Sequence, residues 1–224
     1  MKAIITRLIN SVFVQHCFLC KTKSTLIICT ECKHQLKSHA TRCPRCARPS
    51  TSNMACISCQ AEPPVFDKAY ACFDYNDVIK YSIQQFKYHE ALYFAPFFAA
   101  CLHETINWNE VDAILAVPLH RKRLVSRGYN QSQELAKRLR RQTSKPVVSH
   151  YVKRIKNTAP QHTLNKTARA KNPKGAFKLI KPIPYTKLLI IDDVMTTAST
   201  LNALCKALQQ ARSHHIIVAC VARA

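Results

Sequence analysis

Eight cysteines in four C-x-x-C pairs constrain this chain more than any other feature. The pairs are Cys17 and Cys20, Cys29 and Cys32, Cys43 and Cys46, Cys56 and Cys59, with 8, 10 and 9 residues between successive pairs. A C-x-x-C knuckle lets two thiolates reach one ion, and Zn²⁺ takes four such ligands in a tetrahedron, so eight sulfurs make two closed sites. A disulfide framework would need an oxidising compartment, and no secretory leader is evident, which points to the cytosol. Sequential pairing of the knuckles closes shorter loops than a crossed arrangement and costs less chain entropy; both remain open at this level. His16 and His34 border the pairs as alternative ligands, but eight cysteines already suffice. A site closed by four sulfurs has no open position for a substrate, so the module is expected to be structural or for recognition. Cys72, Cys101, Cys205 and Cys220 have no partner spacing and read as small buried hydrophobes.

The 224 residues allow one ordinary domain plus a small appendage, expected as a module over 1–64 and a domain over 65–224. Ile4, Leu8 and Val12 repeat every fourth residue, as in a short amphipathic helix, and no apolar run is long enough to span a membrane. The formal charge is +22, and it is concentrated: residues 119–182 hold 18 basic side chains against one acidic. An imbalance of that size suits a phosphate-rich partner rather than solubility alone.

Beyond Pro63-Pro64 apolar strands alternate with amphipathic helices. Strands are expected at Ala113–Val117, Leu188–Ile191 and Ile216–Val221, and helices at Gln131–Arg141 and Leu201–Leu208. Strand–helix alternation with continuous apolar strands means an α/β fold with a mainly parallel sheet and helices on both faces. Ligands of such sheets bind beyond the carboxyl ends of the strands.

Two segments lie there. In LLIIDDVMTTAST, residues 188–200, four apolar residues deliver Asp192 and Asp193 to the expected strand end. Thr196, Thr197, Ser199 and Thr200 then lead into a helix. Hydroxyls and backbone N–H groups at a helix N-terminus make a monophosphate cradle, and the acids can accept from a ribose diol or hold Mg²⁺. Helix capping would need only one such residue. The second segment, residues 116–136, presents His120, Arg121, Lys122, Arg123 and Arg127 before a helix, a cationic turn suited to pyrophosphate. With only Gly128 and Gly175, the chain cannot build a Walker loop or a Rossmann fingerprint.

Together these segments resemble the ComF competence family, whose fold is that of the type I phosphoribosyltransferases. Residues 188–200 resemble that family's signature for 5-phosphoribosyl-1-pyrophosphate (PRPP). AVPLHRKR with RGYNQSQELA is similar to its pyrophosphate-loop region. Arg154, Thr158, Gln161, Leu164, Arg169, Asn172, Ala176 and Phe177 follow a third family pattern, and Phe86-Lys87-Tyr88 is similar to an upstream KY element without an assigned role. The cysteine pairs resemble the family's double zinc ribbon.

The resemblance implies ribose hydroxyls on Asp192 and Asp193 and a 5-phosphate on Thr196, Thr197, Ala198, Ser199 and Thr200. It further implies pyrophosphate on His120, Arg121, Lys122 and Arg123, and a mobile flap over 154–177. It implies a cytoplasmic protein of natural transformation that handles single-stranded DNA, with Lys166, Arg169, Lys171 and Lys174 among the nucleic-acid contacts. Other DNA-uptake proteins at the inner membrane face are implied as partners. Transfer of ribose 5-phosphate to an acceptor is the alternative, for which His120 and His162 are the available bases. Two departures stand out: Ala198 replaces the family's usual glycine, and Lys21, Lys33, Ala47 and Gln60 follow the second cysteines where glycine is common.

Overall fold

A computed structural model describes residues 16–37, 41–157, 175–210 and 214–224. The chain divides after Ser38 into two compact units. The expected helix over Ile4, Leu8 and Val12 lies outside the described residues.

In the first unit Cys17 and Cys20 sit on a tight turn closed by an antiparallel bridge between His16 and Lys23. Helix α1, Thr30–Leu36, follows with Cys29 as its N-cap and Cys32 in its first turn. The second unit repeats the device. Cys43 and Cys46 lie on a turn bridged by Arg42 and Pro49, and Cys56 is the N-cap of helix α2, Ile57–Ala61. In each turn the residue after the second cysteine takes a left-handed backbone, φ 61° at Lys21 and 56° at Ala47. The knuckle geometry therefore survives without glycine, at the cost a side chain incurs there. Lys33 and Gln60 need no such conformation, because their knuckles run into α1 and α2.

The body of the second unit is a four-stranded, wholly parallel sheet. Its strands are β1 (Lys68–Asp74), β2 (Ala113–Ala116), β5 (Lys187–Met195) and β6 (His215–Arg223), in the order β1-β6-β5-β2. Residues 146–148 extend the β2 edge through Ile114 N to Pro146 O and Val148 N to Ile114 O, both 2.8 Å. Leu188–Ile191 and Ile216–Ala222 are fully buried, as strands covered on both faces must be.

One face packs Leu188, Ile190, Ile216 and Val218 against Leu201, Leu204, Cys205 and Leu208 of helix α7, Ser199–Gln209. Helix α4, Phe94–Thr105, and helix α6, Gln131–Thr143, pack against each other and on the sheet. The α4 aromatics join a cluster in which Phe97 stacks on Phe73 at 5.9 Å and Phe98 meets Phe86 at 5.7 Å. Phe86 belongs to helix α3, Asp77–Tyr88, which starts on Asn76 (Ile79 N donates to its Oδ1, 3.0 Å) and buries Ile79, Ile83 and Phe86. That periodic stripe holds the C-terminal turn of α3 against α4 and Tyr129 and so places Lys87.

A separate antiparallel ribbon pairs β3, Val152–Arg154, with β4, Phe177–Leu179. Of the lone cysteines, Cys101, Cys205 and Cys220 are buried and Cys72 is half-buried, and no disulfide is present among the described residues. No described helix is long and apolar enough to cross a membrane.

Two differences from the sequence expectations bear on function. Strand β5 does not stop at Ile191 but runs on to Met195, because β6 continues beside it and pairs with Asp192, Val194 and Met195. The shorter β2 ends opposite Ile191, so the acidic pair stands at the sheet's stepped edge although β5 itself continues. Residues 121–127 form helix α5 rather than an open cationic turn. His120 caps it, with Lys122 N donating to Nδ1 at 3.3 Å, and Gly128 stops it at φ 75°.

Candidate functional site

The cysteines gather sequentially: Cys17, Cys20, Cys29 and Cys32 in the first unit, Cys43, Cys46, Cys56 and Cys59 in the second. Within each group all Sγ atoms lie within 4.8 Å of one another. Cys20 and Cys29 are 3.7 Å apart at sulfur, as are Cys46 and Cys56. A tetrahedron with ordinary Zn–S bonds has edges of about 3.8 Å, which the 3.7 Å pairs match, so both groups suit zinc. Backbone amides support the thiolate form. Cys29 N donates to Cys17 Sγ and Cys56 N to Cys43 Sγ, each at 3.3 Å. Burial works to raise both thiols, but these N–H groups, together with those of Leu19 and Cys20 at Cys17 and of Arg45 and Cys46 at Cys43, outweigh it and bring Cys17 to about 6 and Cys43 to about 7. Neither His16 nor His34 belongs to a cage.

The second cage is built into the body. Ala69 N donates to Pro44 O (2.9 Å), Arg45 Nη1 to Asp67 O (3.0 Å), and Arg223 Nε to Cys46 O (2.8 Å). Arg42 joins Ala47 O at 2.9 Å to the Asp74 carboxylate at 2.9 Å, and Ala47 itself lies in the core.

At the sheet's stepped edge the first turn of α6 fills the space that β2 leaves. Asn130 Nδ2 donates to Val117 O (3.0 Å), and Ser132 Oγ donates to Asp192 Oδ1 (3.1 Å), which also accepts from Asp193 N (2.9 Å). Asp193 is buried and meets Lys87 Nζ at 3.0 Å. Burial raises the Asp192 carboxyl, the Asp193 charge adds to it, and Lys87 opposes both; the group is pushed up to about 7. Burial acts against the Lys87 ammonium, but Asp193 outweighs it and holds Lys87 above its ordinary value.

The KY element is thus a wall of the site. Gln131 Nε2 donates to Lys87 O (3.3 Å), Tyr129 Oη donates to Phe86 O, and Arg127 lies over the Tyr88 ring at 4.8 Å while donating to its hydroxyl (3.0 Å).

After Met195 the chain turns through Ala198, at φ 58°, into α7. Thr197 Oγ1 and Ser199 Oγ are 2.9 Å apart, and the N-cap position is taken by Ala198, whose methyl group cannot cap the helix. The turn is half-buried throughout, so its groups stay reachable.

Of the cations named from sequence, Arg121 and Lys122 are exposed, His120 is engaged as a cap, and Arg123 faces inward with Arg127 one turn on. Arg154, on β3 and over the Phe177 ring at 5.3 Å, comes from the ribbon. Burial and the nearby charges of Arg123 and Arg127 lower Arg154 to about 10, Asp192 opposing. Burial and Arg127 lower Arg123 likewise. Arg154 thus feels Arg123 and Arg127 as like charges and Asp192 as the opposite one.

Lys166, Arg169, Lys171, Lys174 and His162 lie outside the described residues, and so does most of the 154–177 segment, whose two ends form the ribbon. Sequence reasoning gave Lys87 no role and passed over Ser132 and Arg223. The KY resemblance was the available signal for Lys87 and the RGYNQSQELA resemblance for Ser132, whereas Arg223 carried none.

Comparison with known proteins agrees with this architecture. Residues 8–60 match the double zinc ribbon domain and residues 97–224 the phosphoribosyl transferase domain. The chain is 31% identical over 218 residues to the DNA utilization protein YhgH of Escherichia coli K12, covering 92% of this chain and 96% of the relative. It is 32% identical over 211 residues to competence protein F of Haemophilus influenzae, covering 88% and 90%. Competence protein ComFC of Bacillus subtilis is 24% identical over 193 residues, covering 78% and 75%. With both cysteine cages formed and the parallel sheet in place, the chain belongs to the ComF family of competence and DNA-utilization proteins, a phosphoribosyl transferase domain preceded by a double zinc ribbon.

Proposed function

We propose that this protein binds PRPP at the sheet's stepped edge and handles single-stranded DNA in the cytosol during natural transformation. The observation that carries the ligand is the meeting of Lys87, Asp192, Asp193 and Ser132 at the stepped edge, with Arg127 held on Tyr88 of the same KY element. Arg123 and Arg154 are lowered by burial first and by neighbouring guanidiniums second, and a bound polyanion such as pyrophosphate would relieve both. The turn from Thr196 to Thr200 takes the 5-phosphate on the N–H groups of α7. Asp192 and Asp193 accept the ribose hydroxyls, and their carboxylates also suit Mg²⁺, an oxygen-seeking ion that PRPP brings with it. His120, Arg121 and Lys122 flank the pyrophosphate on α5. The two zinc ions hold their modules folded.

The DNA reading rests on the 18 basic and one acidic side chains of residues 119–182; of the rings expected to join them, Phe177 is buried and Tyr129 packs on Phe86, which leaves the half-buried Tyr151. Cations track a phosphate backbone and rings stack bases of any identity. The names of the relatives, a competence protein and a DNA utilization protein, point the same way.

Calorimetry with PRPP and Mg²⁺, with and without single-stranded DNA, tests both halves, with pyrophosphate release followed alongside. Affinity for DNA should fall with salt at a log–log slope of about −3 to −4, from ~4 to 6 neutralised phosphates. Replacing Lys166, Arg169, Lys171 and Lys174 with Ala should flatten the slope for all sequences alike. Absence of PRPP binding refutes the ligand, salt-independent or undetectable DNA binding refutes the partner, and steady pyrophosphate release would make the protein an enzyme.

A further inference from the structure

Arg223 ends β6 and is buried, 3% exposed, although it carries a permanent charge. None of its hydrogen bonds goes to a side-chain carboxylate. Nε donates to Cys46 O at 2.8 Å, and Nη1 donates to Met195 O at 2.8 Å, to Thr196 O at 2.5 Å and to Ala224 O. One planar group therefore spans the second cysteine cage and the entry to the Thr196–Thr200 turn. The register explains the reach, since Arg223 lies opposite Met195 on β5 and opposite Asp74 on β1, whose carboxylate binds Arg42.

Burying a guanidinium is costly, and three backbone carbonyls and the Ala224 oxygen offset only part of that cost. The second cage would add to that offset: four thiolates on Zn²⁺ carry a formal −2, and Cys46 is one of them. Metal in this cage fixes the Cys46 carbonyl, the carbonyl orients the guanidinium fork, and the fork holds the two carbonyls that lead into left-handed Ala198. That conformation is strained for alanine and persists only where its surroundings hold it.

We propose that Arg223 is a positioning residue that makes the phosphate-binding turn depend on metal in the second cysteine cage, so that loss of that zinc loosens the turn. The phosphate part rests on the function proposed above; the coupling of cage to turn does not.

The test uses the full chain purified with its zinc, and compares Cys59→Ser (second cage), Cys20→Ser (first cage) and Arg223→Lys. Elemental analysis, hydrogen exchange of the peptide spanning residues 195–201, and PRPP affinity are measured on each. Both cysteine variants should lose one zinc per chain. In Cys59→Ser, exchange at 195–201 should quicken and PRPP affinity should fall, each about tenfold, the scale seen when a metal's outer supports are cut. Cys20→Ser, whose cage belongs to the unit without the turn, should change neither. Unaltered exchange at 195–201 in a zinc-depleted Cys59→Ser overturns the coupling, as does equal loosening in Cys20→Ser.

If Cys59→Ser unfolds, seen as lost protection across Leu188–Ile191, Arg223→Lys decides. It keeps the charge and both zinc ions but lacks the fork, so the turn should still loosen, and an unchanged turn overturns the proposal. A wild-type protein that ignores PRPP sinks the ligand reading alone, because the exchange comparison stands without it.

Discussion

Replacing Lys87 with methionine removes the one cation that, among the described residues, directly contacts the buried Asp193, while keeping most of the side chain's volume. The pair is 3.0 Å apart, with side-chain exposures of 20% and 10%. Breaking a fully buried ion pair costs about 3–5 kcal/mol because the partner is left uncompensated; the residual water here reduces the expected loss to roughly 2–3 kcal/mol. For a chain of this size that corresponds to a fall in melting temperature of roughly 4–12 °C.

The loss should depend on pH. Asp192 is held at about 7, above the range of an unfolded carboxyl, so its ionisation weakens the fold progressively as pH rises from about 4 through 7. Lys87 opposes that rise, and removing it pushes Asp192 higher still. At pH 5 Asp192 is protonated and the variant carries less like-charge repulsion than at pH 8. The penalty measured by urea unfolding should therefore be larger at pH 8 than at pH 5. Adding Asp193→Asn to Lys87→Met should restore much of the stability, because the orphaned charge is then gone. A penalty independent of pH, with no rescue in the double variant, would refute an electrostatic role and leave Lys87 as mere packing.

The remaining predictions concern the metal and the turn. Protein purified without added metal should contain two zinc ions per chain, since two separate four-sulfur cages are present; a ratio near zero by elemental analysis counts against both. Ala198→Gly should stabilise the chain by about 0.5–1 kcal/mol, the relief of a left-handed alanine less the entropy of an added glycine. Calorimetry showing a lower melting temperature would mean that the methyl group's packing outweighs the backbone strain.

What the sequence determined by itself is whatever acts over a few residues. The cysteine cages are legible because a C-x-x-C turn and a gap of 8 or 9 residues bring four ligands together almost wherever the module sits. The β5 and β6 runs are legible because strands buried on both faces must be apolar throughout. The continuation of β5 through Asp192 and Asp193 is not, because two acids read as an end unless the neighbouring β6 is known to keep pairing. Helix α5 was hidden for a related reason: it buries no residue and so shows no apolar stripe, although Gly128 marked its stop.

The tertiary structure alone decided which charges meet. Lys87 reaches Asp193 across 106 positions of chain, and Arg223 reaches Cys46 across 177. No local pattern encodes either contact. A lysine at a helix end and an arginine at a strand end look alike in sequence whether they face water or a buried partner. Only the register of a parallel sheet, set by the burial of residues elsewhere, brings those groups together.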